Sequence, residues 1–263
     1  MIELSTILIF LTNLLIMIGL FIIISLSLNL EYGYAGIPNF GKLLAVAGGA
    51  YFVGAISARI LALAYAQPAG LGYIEKNLEV IGFLNDALSS SPLQSIAFLL
   101  FSIVGAAFFG GLLGYVASYP AIRLRGDYLA ITLLAMGEIL WVIADNWQPL
   151  IGGSMGVRIP DPFRWVGGQY RPLAVLLTVL VTTAIVFLYL EYLGRSPLGR
   201  VLKAMREDEL SASVYGKDVV KLRTKTLIVG FAIAAISGAL NSLWTASVSP
   251  KDFDRVRHTF MPW

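Results

Sequence analysis

Residues 194–226 read GRSPLGRVLKAMREDELSASVYGKDVVKLRTKT, and this basic stretch separates two long apolar segments of the chain. Ser196 followed by Pro197 is a typical helix start, because the hydroxyl accepts a free backbone N–H and proline already has a helical φ. Gly216 is a typical helix stop. The pattern therefore predicts one helix of about five turns over 196–216 that lies along a surface.

Two interpretations of this helix stay open. Its apolar positions recur at helical spacing and its remaining positions are largely charged, which is typical of an amphipathic helix among lipid headgroups. Glu207, Asp208 and Glu209 favour a docking helix for a soluble partner, because anionic lipid would repel them. The apolar positions are Leu198, Leu202, Met205, Leu210 and Val214.

The composition is that of an integral membrane protein. Of 263 residues, 57% are hydrophobic and only 13% are charged, against about 25% charged in soluble domains. The absence of cysteine excludes disulfides and thiolate chemistry, and the lone His258 is expected at the surface. No Lys or Arg precedes Lys42, so the first apolar run lacks the basic start of a signal peptide and is expected to remain as a span.

The apolar runs predict an all-α fold, a polytopic transmembrane helix bundle in a single domain over residues 1–263. The gaps at 67–94 and 145–172 are long enough for interfacial helices. The six predicted spans are about 7–29, 43–66, 95–118, 128–144, 173–193 and 227–248.

Basic residues orient the bundle, since loops rich in Lys and Arg remain in the cytoplasm. The loop 194–226 is therefore predicted to be cytoplasmic, together with 119–127, which carries Arg123 and Arg125. Alternation places 67–94, the N-terminus and the tail after residue 249 outside. The basic residues of the long loop are Arg195, Arg200, Lys203, Arg206, Lys217, Lys221, Arg223 and Lys225.

Glu138 lies near the middle of the fourth predicted span. A carboxylate at that depth is costly and indicates a functional site. It could line a water-filled pathway, support packing, or pair with Arg59 of the second span, although Arg59 could instead reach the headgroups.

Two Gly-containing segments are further candidates for the substrate pathway. The polar break at 29–42 predicts irregular backbone, with Asn39 and Phe40 near the pathway, unless it is a plain cytoplasmic turn. Gly153 and Ser154 follow the fourth span, where they form either part of an external gate or binding-protein contact, or a structural turn.

Three segments together resemble one family. They are SLNLEYGYAGIPNFGKLLAVAGGAY at 27–51, RLRGDYLAITLLAMGEILWVIADNWQPLIGGSMGV at 123–157, and SPLGRVLKAMREDELSASVYGKDVVKLRTKTLIVGFAIAAISGAL at 196–240. In this order they resemble the permease subunits of ABC importers for branched-chain amino acids, and the LivM-like member more than the LivH-like one. The resemblance implies further membrane segments after about residue 253.

The resemblance also implies partners in a cell (plasma) membrane: a second, LivH-like permease subunit, two cytoplasmic ATP-binding subunits and an external substrate-binding protein. Residues 196–216 would be the cytoplasmic coupling helix, with Leu202, Met205, Arg206, Glu207, Asp208, Glu209 and Gly216 in the ATPase contact. Leu210 stands where an acid is usual in such loops, and Glu209 is one position early.

Other function classes fit less well. The sequence contains no GxxxxGK[ST] motif for ATP phosphates and no HExxH metal motif, so we expect neither an enzyme nor a cofactor or metal site. A secondary transporter or channel for a small polar solute such as urea or an amide is the alternative, because interrupted helices often line binding sites.

Overall fold

The computed structural model describes residues 2–124, 126–254 and 256–263, with side chains from residue 7 onward. Arg125, one of the basic residues used to orient the chain, lies outside the described residues. Within the described part, six helices are long and apolar enough to cross a membrane. The all-α polytopic bundle predicted from the sequence is therefore confirmed.

Each predicted span corresponds to one long helical segment, and most of these extend beyond the apolar run. The third extends past its apolar run at both ends, and the sixth begins at Val219, well before its predicted start, because polar and charged residues there continue the helix. The segments are α1 (Ile2–Leu28) with a π-helical turn (Asn29–Tyr34), α2 (Lys42–Phe52) continuing through Val53–Ser57 into α3 (Ala58–Ala64), α6 (Pro92–Arg123), α7 (Gly126–Asn146), α9 (Arg171–Arg195) and α12 (Val219–Thr245).

Short elements connect the spans. Both long gaps contain short helices, and two brief strands pair antiparallel, with Val157 opposite Val248. These elements are α4 (Leu71–Glu75), α5 (Asn77–Ser90), α8 (Gln148–Ile151), α10 (Pro197–Glu207), α11 (Glu209–Val214), β1 (Val157–Arg158), β2 (Ser247–Val248), the 3-10 turns Gly153–Met155, Arg164–Val166 and Pro250–Asp252, and the π-helical turn Val256–Phe260.

The prediction of one helix over 196–216 is wrong, because the structure has two helices there, α10 and α11. Asp208 separates them with an extended backbone, φ −153° and ψ 108°. Its carboxylate accepts the backbone N–H of Leu210 at 2.9 Å. Aspartate favours such caps over helix interiors, because its side chain competes for backbone hydrogen bonds. The periodic apolar pattern did not reveal this local competition.

The second and sixth spans, α2–α3 and α12, form the buried centre of the bundle, and the other four spans are largely exposed around them. The two central spans approach closely where Gly238 of α12 faces the backbone of Val46. A Cβ at Gly238 would overlap the Val46 carbonyl oxygen and would lie 3.2 Å from the backbone nitrogen of Ala50. Small residues at such crossings bring helix backbones together in membranes.

The bundle has two ends, which we name by their loops. The loop end carries residues 29–41, 121–124, 126 and 195–218, and the sequence predicts that it faces the cytoplasm. The far end carries 65–91, 147–170 and the paired strands β1 and β2.

Alternation predicts that the tail after residue 249 stays beyond the far end. In the structure the tail instead returns along the bundle. Trp141 of α7 donates its indole N–H to the Pro250 carbonyl at 2.8 Å. At the other end of the tail, Trp263 stacks on Phe40 with ring centroids 4.7 Å apart. The described residues of the tail, 249–254 and 256–263, therefore pass from the level of the far-end half of α7 to the break near the loop end.

His258 lies in this returning tail and is buried, with 5% of its surface exposed. The expectation of a surface histidine was wrong, because the sequence did not show that the tail packs against the spans. The imidazole lies beside the Phe253 ring, with centroids 5.2 Å apart.

Candidate functional site

The polar break between the first and second spans re-enters the bundle. The first span ends in the π-helical turn Asn29–Tyr34, and regular helix resumes only at Lys42. The backbone N–H of Ile37 donates to the Glu31 carbonyl, and that of Gly41 donates to the Asn39 side-chain oxygen, both at 2.8 Å. Irregular backbone at membrane depth requires such partners inside the protein. The break is therefore packed into the bundle, and its place along the substrate pathway stays a prediction.

A buried ion pair lies inside the break. Lys42 Nζ is 2.6 Å from Glu31 Oε2, and both side chains are fully buried. Asn39 donates its amide to the same carboxylate oxygen at 2.7 Å, and Lys42 donates to Ser27 Oγ at 2.6 Å. Ser27 in turn donates to the Gly230 carbonyl of α12 at 2.6 Å. The network therefore joins the first, second and sixth spans.

Sequence reasoning selected Asn39 but missed Glu31 and Lys42. Both stand at the edges of the polar break, next to apolar runs, where a charge inside the membrane is expensive and needs a partner. The cost of placing these two charges beside apolar runs was the signal in the sequence that could have identified the pair. Phe40, the other residue selected there, is partly buried under Trp263, so both selected residues lie in a packed junction.

The helix α10 is attached directly to this break. Arg206 donates through Nη1 to the Gly33 carbonyl at 2.6 Å. Lys203 places its ammonium 5.1 Å from the centre of the Tyr34 ring, a geometry that attracts a cation to the ring face. These two contacts tie α10 to the end of the first span.

Two faces of the α10–α11 loop differ in exposure. Leu202 and Met205 are buried within this chain, at 2% and 4% exposure. Leu210, Val214 and Tyr215 are exposed at 74%, 78% and 83%. The first pair therefore fixes the loop to the bundle, and the second set forms an exposed apolar surface. We call Leu210, Val214 and Tyr215 the docking patch.

Asp208 and Gly216 bound α11. The Ser211 hydroxyl donates to the Asp208 carboxylate at 2.5 Å, and together with the backbone N–H groups of Ser211 and Leu210 it lowers the pKa of Asp208. Gly216 adopts φ +75°, the left-handed conformation that glycine supplies after a helix end.

Glu209 anchors α11 to two other spans. Its carboxylate lies 2.7 Å from Arg223 Nη2 at the start of α12, and both side chains are mostly buried. Arg223 also donates through Nη1 to the Ala121 carbonyl of α6 at 3.1 Å. On α10, Glu207 pairs with its neighbour Arg206 and remains exposed.

At the far end, Gly153 and Ser154 lie in a tight turn after α8. Gly153 is buried at φ +62°, and a Cβ there would lie 3.0 Å from the Asp145 carbonyl oxygen, so the turn requires glycine. Ser154 is exposed. The two residues are therefore adjacent in a rigid turn, and only the serine is accessible to a partner.

Glu138 lies half-buried on α7 and lines a cavity of about 380 Å³ beside the returning tail. Arg59, considered as its partner, donates to the carbonyls of Pro149 and Leu150 at 2.5 and 3.1 Å. The structure thus places Arg59 at the far end, tying the second span to α8.

Comparison with known proteins agrees with this architecture. A family model described as branched-chain amino acid transport system / permease component matches residues 10–262. The chain belongs to this permease family.

Several curated relatives carry the same description. The chain is 41% identical to a probable branched-chain amino acid transport permease protein LivM of Methanocaldococcus jannaschii, over 93% of this chain and 70% of that protein. It is 27% identical to LivM of Salmonella typhimurium, over 92% of this chain and 54% of that protein. It is 24% identical to LivH of Escherichia coli, over 87% of this chain and 68% of that protein. No solved structure matches.

The chain is an integral membrane protein, and its described residues contain six helices that are long and apolar enough to span a membrane. The chain spans about half the length of the Salmonella LivM protein and 70% of the length of the archaeal LivM protein. Its relatives are named as transport permeases and not as enzymes.

Proposed function

We propose that this permease chain forms half of the transmembrane pathway of an ATP-driven importer for branched-chain amino acids. A second, LivH-like permease subunit would supply the other half, two cytoplasmic ATP-binding subunits the energy, and an external binding protein the substrate. Family membership supports this proposal, since relatives of both LivM and LivH type match the chain. The alternative, a secondary transporter or channel for urea or an amide, is not favoured by the family.

The attachment of the α10–α11 loop is the single observation that supports coupling most strongly. Arg206 holds α10 to the end of the first span, and Glu209 holds α11 to α12 and α6 through Arg223. Leu202 and Met205 are buried beneath it. A force on this loop would therefore move several spans together, as an ATP-driven permease requires.

The docking patch is proposed as the contact with an ATP-binding subunit. It is apolar, highly exposed and flanked by charged Glu207 and Lys217, which suits a protein groove with a polar rim. In this arrangement Arg206, Glu207, Asp208, Glu209 and Gly216 shape and hold the loop.

Along the pathway, we propose unequal roles for the selected residues. Asn39 orients the buried ion pair, and Phe40 packs the junction beside it. Glu138 faces a cavity at membrane depth. Ser154, on the rigid turn made by Gly153, would contact the binding protein at the far end.

The test of coupling uses the docking patch and a matched tyrosine. Tyr215→Ala removes a large exposed aromatic from the patch, and Tyr192→Ala removes an equally exposed one, at 79%, from the last turns of α9. Central aromatic anchors contribute about 2 kcal/mol or more to interfaces, which corresponds to roughly 30-fold in affinity. We expect Tyr215→Ala to reduce ATPase co-purification and substrate-stimulated ATP hydrolysis, and Tyr192→Ala to leave both intact.

The proposal of coupling through this patch fails if both variants retain the ATPase equally. It also fails if Tyr192→Ala has the larger effect. Because both positions are exposed, the unfolding midpoint of the permease should be the same in the two variants.

A further inference from the structure

The cavity beside Glu138 has walls of two chemical kinds. Its volume of about 380 Å³ lies in the range of small-molecule sites, roughly 300–1,000 Å³. Carboxylates, an ammonium group and apolar rings all face it. The lining residues are Leu43, Glu138, Trp141, Lys251, Phe253 and Asp254.

The cavity lies at membrane depth. Glu138 is the thirteenth residue of α7, counting from Gly126, which places it about 18 Å along the helix at 1.5 Å per residue. The hydrocarbon core is about 30 Å thick. The hydrogen bond from Trp141 to the Pro250 carbonyl fixes Lys251 at nearly the same level.

Charged groups at this depth cannot face lipid without a large cost. Yet Lys251 and Asp254 are exposed in the chain, and Glu138 is half-buried. The wall they form is therefore suited to a polar pathway, a polar ligand or a polar surface of a second subunit. Because the charges have both signs, the wall is complementary to a ligand that itself carries both.

We propose that this cavity binds the zwitterion of an apolar amino acid. Lys251 would bind the α-carboxylate, Glu138 and Asp254 the α-ammonium, and Leu43, Phe253 and the Trp141 ring the aliphatic side chain. This inference rests on the proposed function for its substrate class, and it adds a location and a role for each residue. A site that pairs charges with both ends of a ligand rejects analogues that lack either end.

The experiment measures equilibrium binding to the assembled permease complex in nanodiscs, without nucleotide or binding protein. The probes are L-leucine, 4-methylpentanoate, which lacks the ammonium, and 3-methylbutylamine, which lacks the carboxylate. The variants are Glu138→Gln and Lys251→Met, with Asp252→Asn and Lys76→Met as charge-matched controls outside the cavity.

We expect each cavity variant to weaken leucine binding by roughly 10- to 100-fold, the usual effect of losing a hydrogen bond to a charge. Lys251→Met should also abolish the preference for leucine over 3-methylbutylamine. Glu138→Gln should reduce the preference for leucine over 4-methylpentanoate, with Asp254 retaining part of it. The control variants should bind leucine as the unmodified complex does.

Unchanged leucine affinity in both cavity variants would overturn the proposal, and so would loss of the second permease subunit on purification. The latter result would make the charges a contact between subunits. ATP-driven leucine uptake is measured in parallel on the same complexes. If neither cavity substitution affects uptake, the proposed amino-acid site is overturned and the proposed function is not. If binding is charge-selective but ATP does not drive uptake, the proposed site is supported and the proposed function is overturned.

Discussion

Removing one member of the buried Glu31–Lys42 pair should destabilise the permease far more than removing an exposed ion pair. The two atoms are 2.6 Å apart, and neither side chain is exposed. At an effective dielectric constant of about 20, charges at that distance attract by about 6 kcal/mol, most of which offsets their desolvation. Glu31→Gln leaves the Lys42 ammonium buried without its counter-charge, at an expected cost of about 3–5 kcal/mol.

The assay is equilibrium unfolding in mixed micelles of the single variants Glu31→Gln and Lys42→Met and of the double variant. Because the double variant leaves no buried charge, its loss of unfolding free energy should be clearly smaller than the sum of the losses in the two single variants. Arg195→Met is the matched control, since Arg195 pairs with Glu191 at 2.6 Å but is 81% exposed. Its removal should cost less than about 1 kcal/mol.

Additive losses would refute this reasoning, because they would show that the two charges do not stabilise one another. A single variant as stable as the unmodified permease would refute it equally. In either case the break would not be held by the ion pair, and the junction between the first, second and sixth spans would need another explanation.

Two further predictions concern the α10–α11 loop. Asp208→Ala should open the loop to proteases, while Asp208→Asn, which can still cap α11, should not. Because hydrogen bonds led by the Ser211 hydroxyl lower the pKa of Asp208, the charge's contribution to the cap is complete above the ordinary pKa of about 4 and is lost as the pH falls through the lowered one. Cleavage that increases already near pH 6 would contradict this. Because the chain has no native cysteine, Ser213→Cys should react with an impermeant maleimide only from the cytoplasmic side; labelling from outside intact cells would reverse the predicted orientation.

The sequence predicted the spans because an apolar run of sufficient length has few alternatives to a membrane helix. It also predicted that residues 29–42 form an irregular break, since glycines and a proline interrupt two apolar runs there. The start of α10 was equally visible, because Ser196 accepts the Gly199 N–H as the Ser-Pro motif indicated.

Other features depend on three-dimensional contacts that no local pattern contains. The pairing of Glu31 with Lys42 exists only because the break turns back into the bundle. The end of α10 depends on a competition at Asp208 that periodicity does not register. The tail after residue 249 carries no long apolar run, so only its contacts, such as that of Trp263 with Phe40, show where it lies.

The same limit applies to the candidate site. Leu202 and Met205 were selected as partner contacts, but an amphipathic pattern does not say which protein buries its apolar face. In the structure the chain buries both itself. Glu138 was found because a carboxylate in an apolar run is conspicuous, whereas its neighbour Lys251 lies in a tail that appeared to leave the membrane.

The central claim is that this chain conducts an amino acid only when an ATP-hydrolysing partner acts on its α10–α11 loop. The most direct measurement is leucine uptake by proteoliposomes that contain both permease subunits, with and without the ATP-binding subunits, with the binding protein and leucine supplied on the far-end side. We predict uptake only when the ATP-binding subunits and ATP are both present, and none from an ion gradient alone. Uptake by this chain without the ATP-binding subunits, driven by an ion gradient, would contradict the claim.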